Sequence, residues 1–239
     1  MKEQAKCLII IPAYNEAGNI EKVIDNLITD YPLYDYVIVN DGSTDATKKI
    51  CERHNYKVLN LPVNMGIGGA VQTGYRYALE NEYDMAVQID GDGQHDVAFL
   101  EGMIGCMEEE NADCVIGSRF VNKEGFQSSG LRRTGIQFLS ILGLILTGVR
   151  VRDITSGYRL VNRKFIRIFA QDYPADYPEP EAVVIAAVHG GKIKEYPVVM
   201  RERENGTSSI TLKKAIYYMV KVTLAMLIRR LSFGVRRQK

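Results

Sequence analysis

Long apolar runs are missing from this sequence. No window of its 239 residues reaches ~18 uninterrupted apolar side chains, so a membrane-spanning helix is not expected. Met1–Ile11 holds too few apolar positions for the core of a secretory leader. Cysteine is sparse: Cys7, Cys51, Cys106 and Cys114 form no Cys-x-x-Cys pair and no framework spacing. That argues against disulfides or a zinc site and for reduced thiols in a cytosolic enzyme. The three histidines, His54, His95 and His189, are scattered. Acidic residues are absent from 211–239, which carries eight basic ones; the remaining 22 basic and 29 acidic residues leave 1–210 at −7 within a net charge of +1. An acidic body with a basic tail points to an anionic partner surface. With 46% hydrophobic and 25% charged residues, disorder and collagen-like repeats are excluded.

Short β-rich runs alternate with longer amphipathic segments, the pattern of βα units around a mostly parallel sheet. Strands are expected at Cys7–Ile11, Tyr36–Asn40, Lys57–Leu61, Met85–Ile89 and Cys114–Gly117, with helices at Asn19–Thr29, Asp45–His54, Gly68–Asn81 and Val97–Asn111. The second half predicts an apolar helix at Ile136–Val149, a strand at Tyr158–Asn162, a proline-rich bend, a helix at Glu181–His189 and a last strand at Ile193–Met200. The only boundary falls near Ser209, where acidic residues stop, dividing a 1–210 domain from a 211–239 segment.

The polar residues that matter follow strands: Pro12-Ala13-Tyr14-Asn15-Glu16, Asn40-Asp41-Gly42-Ser43-Thr44-Asp45 and Asp90-Gly91-Asp92-Gly93-Gln94. Open α/β sheets bind ligands beyond the carboxyl ends of their strands, so three such turns converge. In Asp90-Gly91-Asp92 the glycine lets two carboxylates approach one point, where a divalent cation relieves their repulsion and keeps positions for phosphate. A solvated acidic turn is the alternative for a bare Asp-x-Asp. An EF-hand loop is excluded, because its sixth position requires Gly and His95 stands there. His95 reads as a hydrogen-bonding neighbour of the site rather than a ligand. Asp41 suits the edge of a base or a ribose, since a carboxylate accepts N–H and O–H donors. The glycine-rich Asn64–Ala70 lacks G-x-G-x-x-G spacing and follows the third strand, so it is no dinucleotide fingerprint. For Arg159, an ion pair with Asp153 is expected.

Taken in order, Ile9-Ile10-Ile11-Pro12-Ala13-Tyr14-Asn15-Glu16, Val39-Asn40-Asp41-Gly42-Ser43-Thr44-Asp45, Asn64-Met65-Gly66 and Gln88-Ile89-Asp90-Gly91-Asp92-Gly93-Gln94-His95-Asp96 resemble the signature of family 2 glycosyltransferases of the GT-A fold. Within that family the chain is most similar to dolichyl- and polyprenyl-phosphate sugar transferases. Gly117–Phe120, Asp153–Arg159 and Arg203–Ser208 extend the likeness over roughly residues 5–210.

The resemblance implies a Rossmann-like α/β sheet flanked by helices and an inverting transfer from a UDP-, GDP- or dTDP-sugar. Pro12, Tyr14, Glu16 and Asp41 would line the nucleotide pocket. Asp90, Asp92 and Gln94 would hold Mg²⁺ or Mn²⁺ on the donor diphosphate, Arg119 would face the sugar or acceptor phosphate, and Arg203 the diphosphate. Arg132 or Arg133 would add to the phosphate cluster. Asn40 stands where many relatives carry an acid, and Tyr177–Glu181 departs from the Glu-Asp pair that supplies a base elsewhere. A lipid monophosphate acceptor needs no strong base, whereas a glycan hydroxyl in cell-wall or capsule assembly does. Glu181 is the candidate there, with helix opening as its alternative role. A non-catalytic nucleotide-sugar-binding subunit is the reading from another class.

The 211–239 segment interleaves its cations with Ile216, Val220, Leu224, Ile228 and Leu231, the profile of an interfacial helix on an anionic membrane. Ile136–Val149 offers a second apolar contact. Core packing or dimerisation through these faces, Ile136–Val149 above all, is the alternative, with a membrane-protein partner also open, and nucleic acid fits poorly with an acidic body. These features predict a cytoplasmic enzyme, peripheral on the inner face of the cell membrane.

Overall fold

The computed structural model describes residues 5–122, 130–201 and 212–236. Both the boundary near Ser209 and Arg203 lie outside them. The elements run β1 (Cys7–Ala13), α1 (Ile20–Asp30), β2 (Asp35–Asn40), α2 (Thr47–Arg53), β3 (Val58–Asn60), α3 (Gly66–Glu80), β4 (Met85–Gln88), α4 (Leu100–Glu109) and β5 (Cys114–Ser118). There follow α5 (Gly130–Thr147), β6 (Arg159–Asn162), α6 (Arg163–Gln171), α7 (Pro178–Val188), β7 (Ile193–Pro197) and α8 (Leu212–Arg236).

One sheet orders its strands β3-β2-β1-β4-β6-β5-β7, and only β6 runs antiparallel to its neighbours. This is the expected mostly parallel α/β sheet. β1 is buried along its whole length because both faces are covered, as parallel sheets require. Leu8 and Ile10 face a core built with α3, α6 and α7, while Cys7, Ile9 and Ile11 face one built with α1 and α4. That alternation follows from the two-residue period of a strand. Pro12 is tolerated in β1 because β4 pairs with this strand only as far as Ile10, leaving one side without a partner for the N–H that proline lacks.

Helix α6 was not anticipated. Its signals are Asn162, whose side chain accepts the Phe165 N–H as a cap, and the buried stripe Phe165, Ile166, Phe169 and Ala170. Helix α7 opens three residues before the expected Glu181, since Pro178 and Pro180 lie in its first turn, where a missing N–H costs nothing. All four cysteines are free, and burial pushes the Cys7 thiol up to about 12. Among the described residues no helix is long and apolar enough to cross a membrane.

Candidate active site

Strands β2, β1 and β4 are adjacent and parallel, so their carboxyl ends deliver three turns to one place. They open onto a cleft of about 500 Å³. Pro12, Tyr14 and Glu16 line it from β1, Asp41 from β2, and Asp90 with Asp92 from β4; Asn64 and Ile67 form the wall at the start of α3. The sequence-derived neighbours Asp41, Asp90 and Asp92 thus share one cavity. A second cavity of about 120 Å³ lies between α1 and the Asp92 turn and is too small for a nucleotide sugar.

The turns are locked to one another by hydrogen bonds. Asn15, at φ 57°, accepts the Thr44 N–H through its side chain at 2.9 Å, and its own N–H donates to Ser43 Oγ at 3.0 Å. Asp41 is 3% exposed and accepts the Met65 N–H at 2.7 Å, tying β2 to the mouth of α3. Asn40, the departure from the acid that the family resemblance implies at this position, donates to Asn60 at 2.7 Å and accepts from Ser43 N–H, so it braces β2 against β3.

The Asp90 turn rests on a polar floor. The Asp90 N–H donates to His95 Nδ1 at 3.0 Å, which places the proton of a neutral ring on Nε2, 3.8 Å from the Asp90 carboxylate. His95 stacks on Tyr158 with centroids 5.0 Å apart, and Tyr158 donates its hydroxyl proton to the Asp96 carbonyl. Gln88 Nε2 donates to Asp90 at 3.2 Å. Gly93 adopts φ +77°, the left-handed conformation that the return of the turn demands, and the Gln94 N–H then donates to Asp92 Oδ1 at 3.0 Å. The Gln94 side chain is directed to the Arg201 carbonyl at 3.3 Å; it does not line the cleft.

A fifth carboxylate lines the cleft that the sequence reading passed over. Glu179 sits in the first turn of α7, with burial as the main cause pushing its pKa up to about 7; Asp90 adds to the rise and Arg159 opposes it. Its signal in the sequence was Pro178-Glu179-Pro180, in which two prolines fix the path on both sides of one acid. Among the described residues lining the cleft there is no Lys or Arg, against Glu16, Asp41, Asp90, Asp92 and Glu179. A diphosphate cannot enter such a field without added positive charge. The donor set fits a hard divalent cation, which takes one or two carboxylates and fills its remaining positions with phosphate or water.

Four expectations meet a different placement. Arg119 is 6% exposed and does not line the cleft: Nε and Nη2 each meet the Asp153 carboxylate at 2.7 Å, and its N–H donates there too. Asp153 therefore pairs with Arg119, not Arg159. Arg159 instead donates Nη2 to the Glu179 carbonyl at 3.0 Å, beneath the cleft, while its Nε has no hydrogen-bond partner. The reason is β6, whose antiparallel insertion beside β4 carries Arg159 into register with Gln88. Glu181 points away from the cleft to Arg229 of α8 at 3.5 Å; burial raises its pKa and Arg229 counters this. Neither Arg132 nor Arg133 lines the cleft, and Arg133 lies over the Phe120 ring. Arg203 falls outside the described residues.

The model of Glycosyl transferase family 2 matches residues 8–169, the stretch that carries all three turns. The chain belongs to that family. This glycosyltransferase is 32% identical over 210 residues to the UDP-N-acetylglucosamine–dolichyl-phosphate N-acetylglucosaminyltransferase of Methanococcus voltae, covering 80% of this chain and 83% of that one. It is 30% identical over 215 residues to the undecaprenyl-phosphate mannosyltransferase of Micrococcus luteus, covering 86% and 88%. Among solved structures, glucosyl-3-phosphoglycerate synthase from Mycobacterium tuberculosis, in complex with Mn²⁺ and uridine-diphosphate-glucose, superposes with a TM-score of 0.69 over 95% of this glycosyltransferase and 79% of that chain, at 22% identity. That likeness establishes the fold.

Proposed function

We propose that this glycosyltransferase moves a sugar from a nucleoside-diphosphate donor to the phosphate of a polyprenyl lipid, inverting the anomeric carbon. The observation that carries the reading is the cleft's charge: a wall of carboxylates at the strand ends, suited to a diphosphate only as its cation complex. The names of the Methanococcus and Micrococcus relatives support the lipid-phosphate acceptor.

In this reading Asp41 accepts an N–H of the base or a ribose hydroxyl, with Pro12 and Tyr14 against the nucleoside and Glu16 at the pocket edge. Asp90 and Asp92 hold Mg²⁺ or Mn²⁺, and Gln94 joins them only by releasing the Arg201 carbonyl. The cation, when bound, supplies positive charge where the departing diphosphate develops negative charge. Arg203 is assigned to the same diphosphate. A lipid monophosphate, with a second pKa of ~6, is already largely a dianion at neutral pH. It attacks the anomeric carbon opposite the departing nucleoside diphosphate, and no protein base is required.

One observation favours a second reading, transfer to a glycan hydroxyl. Glu179, with a pKa of about 7 at the cleft wall, is suited to take the proton that a hydroxyl must lose. Incubation of UDP-, GDP- and dTDP-sugars with undecaprenyl phosphate and with oligosaccharides separates the two: a lipid-linked sugar is expected, and a product on oligosaccharide alone would establish the second.

The membrane surface belongs to the same proposal. Ile216, Val220, Leu224, Ile228 and Leu231 are exposed along one stripe of α8, while Val222 and Met226 bury the other side. On the neighbouring α5, Ile141 and Ile145 are also exposed, and Arg230 of α8 donates to the Leu146 carbonyl at 2.8 Å. Two packed helices presenting apolar stripes suit the headgroup boundary of a bilayer. Lys221 and Arg229 are paired with Asp176, Asp172 and Glu181. The contact therefore rests more on apolar area than on the tail's full charge.

A further inference from the structure

Residues 172–181, the connection from α6 together with the first turn of α7, form a strap with two working sides. On the inner side the Ala175 carbonyl accepts the Gly68 N–H at 3.0 Å, and a Cβ on Gly68 would lie 1.8 Å from the Pro174 carbonyl oxygen. The strap thus lies directly on the backbone that opens α3. Four residues further along, Glu179 enters the cleft and its carbonyl receives Arg159.

The outer side of the strap is held by α8. Arg229 Nη1 meets both Asp172 oxygens at 2.8 and 3.0 Å, while its Nε approaches Glu181 at 3.5 Å. The Tyr218 ring stands edge-on to Tyr177 at 4.7 Å and 88°, and Lys221 reaches Asp176 at 2.5 Å. Tyr177 itself adopts φ +48°, a left-handed conformation that a bulky side chain keeps only when its surroundings over-determine it. An isolated exposed ion pair holds little. Here one guanidinium bridges both ends of the strap, and an aromatic pair fixes the strained residue between them.

We propose that α8 is a positioning element of the cleft, with Arg229 and Tyr218 holding the strap and, through it, Glu179. The proposal rests on the reading of this cleft as the site of transfer. It predicts an uneven effect of damage. Asp41, Asp90 and Asp92 follow β2 and β4 and are tied to the strap indirectly, through the start of α3, whereas Glu179 rides on the strap itself. With a phosphate acceptor Glu179 serves not as a base but as the wall that shapes the cleft beside Asp90, so turnover suffers more than donor binding. It also links the helix offered to the membrane with the wall of the cleft: what seats α8 seats Glu179.

The test uses the full chain carrying Arg229→Met, Arg229→Lys or Tyr218→Leu, the last in case loss of the guanidinium prevents folding. Amide hydrogen exchange over 172–181 is measured without substrate, and turnover and donor KM are measured with undecaprenyl phosphate. Arg229→Met and Tyr218→Leu are expected to speed strap exchange at least tenfold and lower kcat about tenfold, with donor KM within twofold. Arg229→Lys should restore most of kcat. Unchanged kcat in folded variants, or donor KM rising in step with the loss of kcat, would overturn the proposal. If the wild type forms no lipid-linked product, the acceptor reading fails separately. The strap is then judged by its exchange and by the rate of nucleoside-diphosphate release from the donor, with the same fold-changes expected.

Discussion

Asp153→Asn isolates what the structure says about Arg119. Asp153 is fully buried and accepts three hydrogen bonds from Arg119, two of them at 2.7 Å from the guanidinium. The substitution keeps the shape of the side chain but removes its charge, leaving a buried guanidinium facing a neutral amide. Breaking one partner of a buried ion pair typically costs 3–5 kcal/mol, roughly. At ~2–4 °C per kcal/mol for a domain of this size, Tm should fall by about 6–20 °C. Urea titration and calorimetry both read the change, and the slope of the urea transition should stay constant. Replacing both partners together, as Arg119→Met with Asp153→Leu, should recover part of the loss, because a hydrophobic pair leaves no unmatched charge. A loss below about 1 kcal/mol for Asp153→Asn, with activity abolished in a fully stable Arg119→Met, would refute the reasoning. It would return Arg119 to the substrate-facing role expected from the sequence.

Two further outcomes are expected. Glu179 has its folded pKa raised from 4.5 to about 7, so its contribution to stability is complete below pH 4.5 and is lost as pH rises to about 7. In metal-free protein, the stability of wild type relative to Glu179→Gln should fall by about 2 kcal/mol across that window, after discounting partial exposure; a flat difference in urea titrations would reject the assignment. For the outer face of α8, Leu224→Glu with Ile228→Glu places two charges on the exposed stripe and should abolish sedimentation with anionic vesicles while leaving Tm within a few degrees. Equal sedimentation of wild type and variant would remove the membrane reading.

The parts legible in the sequence were those written in local chemistry. The unbroken apolar runs of β1 and β2 declare two buried faces, and the turns at Asp41 and Asp90 announce themselves because short polar residues and glycine follow β-branched runs. What was not legible depends on pairing across the chain. Nothing local to Arg159–Asn162 states that β6 inserts antiparallel between β4 and β5, and that insertion decides which arginine Asp153 meets. The confusion of Glu181 with Glu179 has a similar origin: the helix was expected to start after the prolines, whereas it starts on them, turning the two acids to opposite partners. Helix α6 was missed because it follows β6 without an intervening loop, so its cap residue Asn162 read as the end of a strand.

The most direct test of the account is titration calorimetry of UDP-, GDP- and dTDP-sugars into wild type and Asp92→Asn, with Mn²⁺ and with chelator. Donor binding that strengthens at least tenfold with Mn²⁺ in wild type, and loses that increment in the variant, is the result expected if Asp90 and Asp92 present a cation to the diphosphate. Equal donor affinity with and without metal, untouched by the loss of the Asp92 charge, would contradict it.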